Sequence, residues 1–279
     1  MEQPCRTKYS ILLVHGVFYR EDYWGRIPEA LRKKGAVVHH SGHQATAAVA
    51  DSGAELARRI RELAEEAGKV NLLAHSKGGL DSRWAISRLG MVPYVASLTT
   101  INTPHRGCLF VDRLLERIPK PAQRAITTGY SATLRQMGEH PPDFPAAVED
   151  LTAGACARFN QEVPDAPGVF YQSAGSRLER GGDGGFAMGL SHPFVMHFDG
   201  ANDGLVAETS FPWGERYTLF TAADGRGISH EDVIDMNRRD IPGFDVQEAF
   251  ETLVSRMRED GFEPVEEPGD WQIPASGLF

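Results

Sequence analysis

LLAHSKGG, residues 72 to 79, sets a single serine between an apolar run and a pair of glycines. A serine hydroxyl is a weak nucleophile at neutral pH unless a neighbouring base takes its proton. Ser76 is therefore either the polar start of a helix, where serine is a favoured capping residue, or a reactive atom. The flanks bear on the choice. KVNLLAH at 69–75 is short and continuously apolar, as in a strand covered on both faces, and GGLDSRWAISRLG at 78–90 has a helical pattern. A strand, a sharp turn with serine at its apex and an immediate helix form a nucleophile elbow. Its usual pattern, G-x-S-x-G, keeps small residues beside the serine so that strand and helix do not collide. Ala74 replaces the first glycine here and is still small enough.

The same alternation extends in both directions. KYSILLVH (8–15) and GAVVHH (35–40) read as strands, and YWGRIPEALRKKG (23–35) reads as a helix. So does SGAELARRIRELAEEAG (52–68), whose apolar face holds Leu56, Ile60, Leu63 and Ala64. Downstream, YVASLTTINTP (94–104), GVFYQSAGS (168–176) and RYTLFTA (216–222) are strands, and DVQEAFETLVSRMRED (245–260) is a closing helix. The pattern predicts an α/β fold with a mostly parallel central sheet flanked by helices. Residues 109–155 interrupt it with a long, partly helical insert that includes FVDRLLERI and YSATLRQMG, and an insert of that length at a sheet's C-terminal edge serves as a lid or cap. With no repeat, low-complexity tract or long linker, one domain over 1–279 is expected, ending in a Pro-rich, acidic tail.

The 279 residues are 41% hydrophobic and 24% charged, with 38 acidic against 29 basic residues and a formal charge of −9. The basic residues are scattered, so nucleic acid is not an expected partner. No run approaches the ~20 apolar residues of a membrane span, and MEQPCRTKYS lacks the apolar core of a secretory signal. The expectation is a soluble chain that starts in the cytoplasm, or one secreted without a visible signal peptide. Cys5, Cys108 and Cys156 are odd in number and irregular in spacing, which fits reduced thiols rather than a disulfide framework or a zinc site.

A reactive Ser76 needs a base, an acid that orients the base, and donors for an oxyanion. VHGVF at 14–18 ends an early strand, where the Val17 N–H is one candidate donor. The Lys77 N–H, beside the serine at a helix N-terminus, is the other. His15-Gly16 alone also reads as an ordinary strand-ending turn. The acid belongs in a loop after a late strand. GANDGLV (200–206) offers Asp203, with Asp199 as its rival, although NDG alone is also a plain turn. The base must follow the acid, and of ten histidines only His230, in GRGISHEDV, does so. The order Ser76, Asp203, His230 is that of an α/β-hydrolase, whereas other serine hydrolase layouts run differently. FAMGLSHPFVMHF (186–198) and the insert are apolar enough to wall an acyl pocket, or simply to fill the core.

VNLLAHSKGGLDSRWA and VASLTTINTPHRG, together with VHG, NDGLV and SHEDV, resemble the bacterial triacylglycerol lipases of the Pseudomonas, Burkholderia and Proteus group, over about residues 8–257. The resemblance implies an α/β-hydrolase fold with a helical lid insert, acting on a lipid or ester substrate at an oil–water interface without an organic cofactor. It makes Ser76 the nucleophile, Asp203 the acid and His230 the base, gives the oxyanion to Val17 and Lys77, and sets NTPHRG (102–107) at the border of the site. It also implies a structural calcium ion beside the histidine loop, on the carboxylates of Asp183 and Asp232 and on backbone carbonyls near Met236 and Asp240. The chain departs from the group in lacking a visible signal peptide and a disulfide, in Ala74, and in Lys77, which is expected to place a cation beside the site. Phospholipase, thioesterase, polyester depolymerase and acyltransferase chemistry use the same triad and stay open, as does a catalytically silent fold that binds lipid or protein.

Overall fold

The computed structural model describes residues 3–17, 22–117, 143–223 and 225–259. Six strands, β1 (Ser10–Val14), β2 (Val38–His40), β3 (Val70–His75), β4 (Val95–Ile101), β5 (Phe170–Gly175) and β6 (Arg216–Leu219), pair in the order β2-β1-β3-β4-β5-β6. Every pairing is parallel. The helices are α1 (Ile27–Lys33), α2 (Val49–Ala67), α3 (Lys77–Arg88), α4 (Leu109–Arg117), α5 (Phe144–Glu149), α6 (Ala153–Glu162), α7 (Gly185–Asp199) and α8 (Val246–Glu259).

A parallel sheet buries both faces, which is why its inner strands are continuous apolar runs rather than alternating ones. Ile11, Leu13 and Leu73 pack with Leu31 of α1 and with Phe250 and Val254 of α8. Their neighbours Leu12, Val14 and Leu72 point the other way, onto Leu56 and Ile60 of α2 and Ile86 of α3. The chain leaves β1 for the edge strand β2 and returns past β1 to β3, so the order reverses between β1 and β3. In open α/β sheets a ligand site lies outside the carboxyl ends of the strands at such a reversal. The loop after β1, at 15–17, and the turn after β3, at Ser76, meet there: a methyl group on Gly16 would lie 2.7 Å from Ser76 Cβ.

Of the expected insert, residues 109–117 and 143–155 are described and supply α4, α5 and the start of α6, while 118–142, including YSATLRQMG, lie outside the described residues, as does the tail at 260–279. The apolar stretch 186–198 corrects an expectation. It forms most of α7, where Phe186, Leu190 and Phe194, spaced by four, share an exposed face with Met196 beside it, and only Met188 and Val195 among its large apolar side chains are buried. All three cysteines are buried and none is in a disulfide. Among the described residues no helix is long and apolar enough to cross a membrane.

Candidate active site

Ser76 joins β3 to α3 at φ 55° and ψ −133°. A non-glycine residue held in such a region costs about 1–3 kcal/mol and persists only where its surroundings fix it. The end of β4 does so. Ser76 N donates to Ile101 O at 2.9 Å, and Ser76 O accepts from Thr103 Oγ1 at 2.8 Å. The two glycines of the motif are there for clearance: a methyl group at Gly78 would lie 2.4 Å from His15 O, and one at Gly79 would lie 2.2 Å from Thr103 Oγ1. Ser76 makes no side-chain capping bond to α3. Its Oγ lies 2.9 Å from His230 Nε2 instead.

His230 Nδ1 is 2.5 Å from Asp203 Oδ2. Asp203 is fully buried, and its other oxygen, Oδ1, accepts from the amides of Leu205 and Val206 at 2.9 and 2.8 Å. An ionised carboxylate only accepts, so the imidazole proton is assigned to Nδ1 and the Nε2 lone pair faces the serine hydroxyl. His230 N also donates to Asp203 O at 2.9 Å, which ties the two loops together. Asp199 is elsewhere: its two oxygens accept from the amides of Leu109 and Phe110 at 2.9 and 2.8 Å and so cap α4.

Three residues that sequence reasoning left unassigned complete the surroundings. Asn102, at φ 46° just past β4, donates from Nδ2 to Asp203 Oδ2 at 2.6 Å and to Ser176 Oγ at 2.8 Å. The resemblance set NTPHRG at the border of the site without giving Asn102 a role, and asparagine tolerates left-handed backbone at a strand end. The Tyr23 hydroxyl accepts from Gly16 N at 3.0 Å and lies within hydrogen-bonding distance of His75 Nδ1 at 2.7 Å, holding the loop that carries Val17. The His75 ring lies 4.5 Å from that of His230. Burial first, and then the neighbouring His230, keep the His75 imidazole well below its ordinary pKa, so it stays neutral beside His230. Nothing in the sequence marks Tyr23 or His75, because their roles arise from contacts across the sheet.

Lys77 corrects another expectation. Its ammonium is fully buried, donating to Asp81 Oδ1 at 2.7 Å and to Ser52 Oγ at 2.9 Å, because an acid one turn along α3 draws it inward. Only its amide remains beside Ser76. Ser76 and His230 line a cavity of about 490 Å³, with apolar walls that include Val17, Phe110, Val111, Val148, Leu205 and Val206.

Of the positions expected to hold calcium, Asp232 does not fit a divalent ion, because a cation of the chain already meets its carboxylate. Both oxygens of Asp232 accept from Arg239 Nη2 at 2.8 Å. Asp240 receives Arg26 Nη1 at 2.7 Å, Asp183 Oδ2 accepts from Gly227 N at 3.2 Å, and Met236 lines the cavity.

No protein-family model matches the chain. A triacylglycerol lipase of Pseudarthrobacter phenanthrenivorans is 32% identical over 178 residues, 57% of this chain and 55% of that lipase, and the chain spans about half the length of this and the next such relative, at 49%. The lipase of Staphylococcus hyicus superposes with a TM-score of 0.69 at 18% identity, over 95% of this chain and 99% of that one, a likeness of fold. A triacylglycerol lipase of Vibrio cholerae is 30% identical over 241 residues, 75% of this chain and 76% of that lipase. With this similarity added to an α/β-hydrolase sheet and its serine elbow, the chain belongs to the bacterial triacylglycerol lipase family.

Proposed function

We propose that this chain hydrolyses carboxylic esters through an acyl-enzyme on Ser76, with acylglycerols presented at an oil–water interface as its substrate class. The observation that carries the reading is the continuous hydrogen-bonded line from Ser76 Oγ through His230 to buried Asp203, at the edge of an apolar cavity. His230 Nε2 takes the hydroxyl proton as Oγ attacks the ester carbonyl. The carbonyl oxygen becomes an oxyanion, met by the amides of Val17 and Lys77, while Asp203 orients the imidazolium. The imidazolium then protonates the leaving alkoxide, the alcohol departs, and the acyl group stays on Ser76. Water repeats the sequence, releasing the carboxylic acid and restoring the serine. Apolar walls suit an acyl chain, and the low dielectric they create strengthens the amide contacts to the oxyanion. The triacylglycerol lipases among its relatives support the glyceride assignment.

Ser76→Ala tests it. Hydrolysis of p-nitrophenyl butyrate and of tributyrin should fall by roughly 10⁴ or more, with the circular dichroism spectrum unchanged. A fluorophosphonate probe should label the wild type and not the variant. Hydrolysis retained in a folded Ser76→Ala protein overturns the reading.

A further inference from the structure

We propose that the guanidinium of Arg239 occupies the place where the resemblance puts calcium, so that the loop bearing His230 is pinned by a cation belonging to the chain itself. Asp232 lies two residues beyond His230 and its side chain is 5% exposed. Arg239 Nη2 reaches both of its oxygens at 2.8 Å and Nε reaches Oδ1 at 3.2 Å, while Ser229 Oγ donates to Oδ2 at 2.8 Å. A calcium ion takes six to eight oxygen ligands at about 2.3–2.6 Å. This carboxylate already faces a positive charge, which would repel a second one.

The guanidinium also touches the other side of the expected site. A methyl group on Gly185 would lie 3.2 Å from Arg239 Nη1 and 3.5 Å from Nη2. Gly185 opens α7 two residues after Asp183, the second expected carboxylate, which is bonded to the amide of Gly227 on the approach to His230. Arg239 therefore bridges the turn after His230 and the start of α7, the two elements a metal would join. The rest of the loop is held in the same way. Arg26 binds Asp235 through Nη2 at 2.8 Å and Nε at 2.9 Å, and binds Asp240 through Nη1 at 2.7 Å. Three carboxylates of the histidine loop are thus met by two guanidiniums.

The test reads melting temperature, which needs no turnover and so stands whether or not the chain hydrolyses esters. Wild-type protein stripped with EDTA is melted with and without millimolar calcium, and the two curves should coincide; a calcium-dependent rise overturns the proposal. Arg239→Ala, which leaves Asp232 buried without its partner, should melt lower by on the order of 5 °C, and calcium should restore part of that loss because the vacated space lies between two carboxylate-bearing turns. A variant that melts with the wild type, or whose loss calcium leaves untouched, makes Arg239 an ordinary ion pair and overturns the exchange. If Arg239→Ala does not fold, Arg239→Gln, which removes the charge and keeps much of the side chain's bulk, is measured in the same way with the same expectations.

Discussion

Asp203→Asn isolates what the buried carboxylate contributes, because every one of its contacts is a donor. Oδ1 faces the amides of Leu205 and Val206, and Oδ2 faces Asn102 Nδ2 and His230 Nδ1. A carboxamide must put its NH₂ group at one end. At the Oδ1 end it would oppose two fixed backbone N–H groups, at about 1–3 kcal/mol for each donor left unsatisfied. At the Oδ2 end it meets two groups that can adjust. Asn102 Oδ1 has no hydrogen-bond partner among the described residues, so turning that side-chain amide over presents an acceptor. His230 must then offer the Nδ1 lone pair, which moves its proton to Nε2, facing Ser76. The hydroxyl keeps its geometry and loses its base. The same tautomer change in a serine protease lowers kcat by about 10⁴, equivalent to roughly 5 kcal/mol of barrier at about 1.4 kcal/mol per tenfold. The assay is kcat on p-nitrophenyl butyrate beside a thermal melt, with the fold expected to survive. A folded Asp203→Asn protein within about tenfold of wild-type kcat refutes the tautomer argument, since no smaller effect is compatible with a base that cannot accept.

Acid should weaken the fold. Burial is the leading cause that holds His15, His75 and His105 well below the ordinary imidazole pKa, so below about pH 6.5 the unfolded chain takes up protons that the folded chain refuses, and stability falls at up to about 1.4 kcal/mol per pH unit for each histidine. Urea midpoints measured between about pH 7 and about pH 5 should drop steadily, and a flat profile would contradict the burial of neutral rings. Gly16→Ala should push the β1 loop away from the elbow, because its methyl group would lie 2.7 Å from Ser76 Cβ and 2.9 Å from the Tyr23 hydroxyl. The expected loss in kcat is about 10² to 10³, comparable with losing an oxyanion donor; wild-type kcat would show that Val17 does not depend on that approach.

The elements that could be read from the sequence are those whose burial is written into local pattern. Leu12, Leu13, Leu72 and Leu73 betray a sheet covered on both sides, and Leu56, Ile60 and Leu63 mark the inner face of α2. Chain order alone singled out His230, because a serine elbow restricts where a base can come from. What escaped was decided by partners distant in sequence. Lys77 turned inward because Asp81 and Ser52 await it, and Asn102 acquired its role only when β4 came to lie beside β3 and β5. The 186–198 stretch misled for the opposite reason: abundant apolar residues suggested an interior, yet their spacing of four puts several on the outer side of α7.

Asp199 has a bearing on redesign. As the last residue of α7 it grips the first two amides of α4, and α4 carries Phe110 and Val111 into the cavity wall, while Asp203 follows four residues later. One wall of the cavity and the loop that bears Asp203 thus share one mooring. Trimming the Phe110 or Val111 side chain widens the cavity and leaves that mooring alone, whereas an insertion ahead of Leu109 would slacken the wall and the Asp203 loop together.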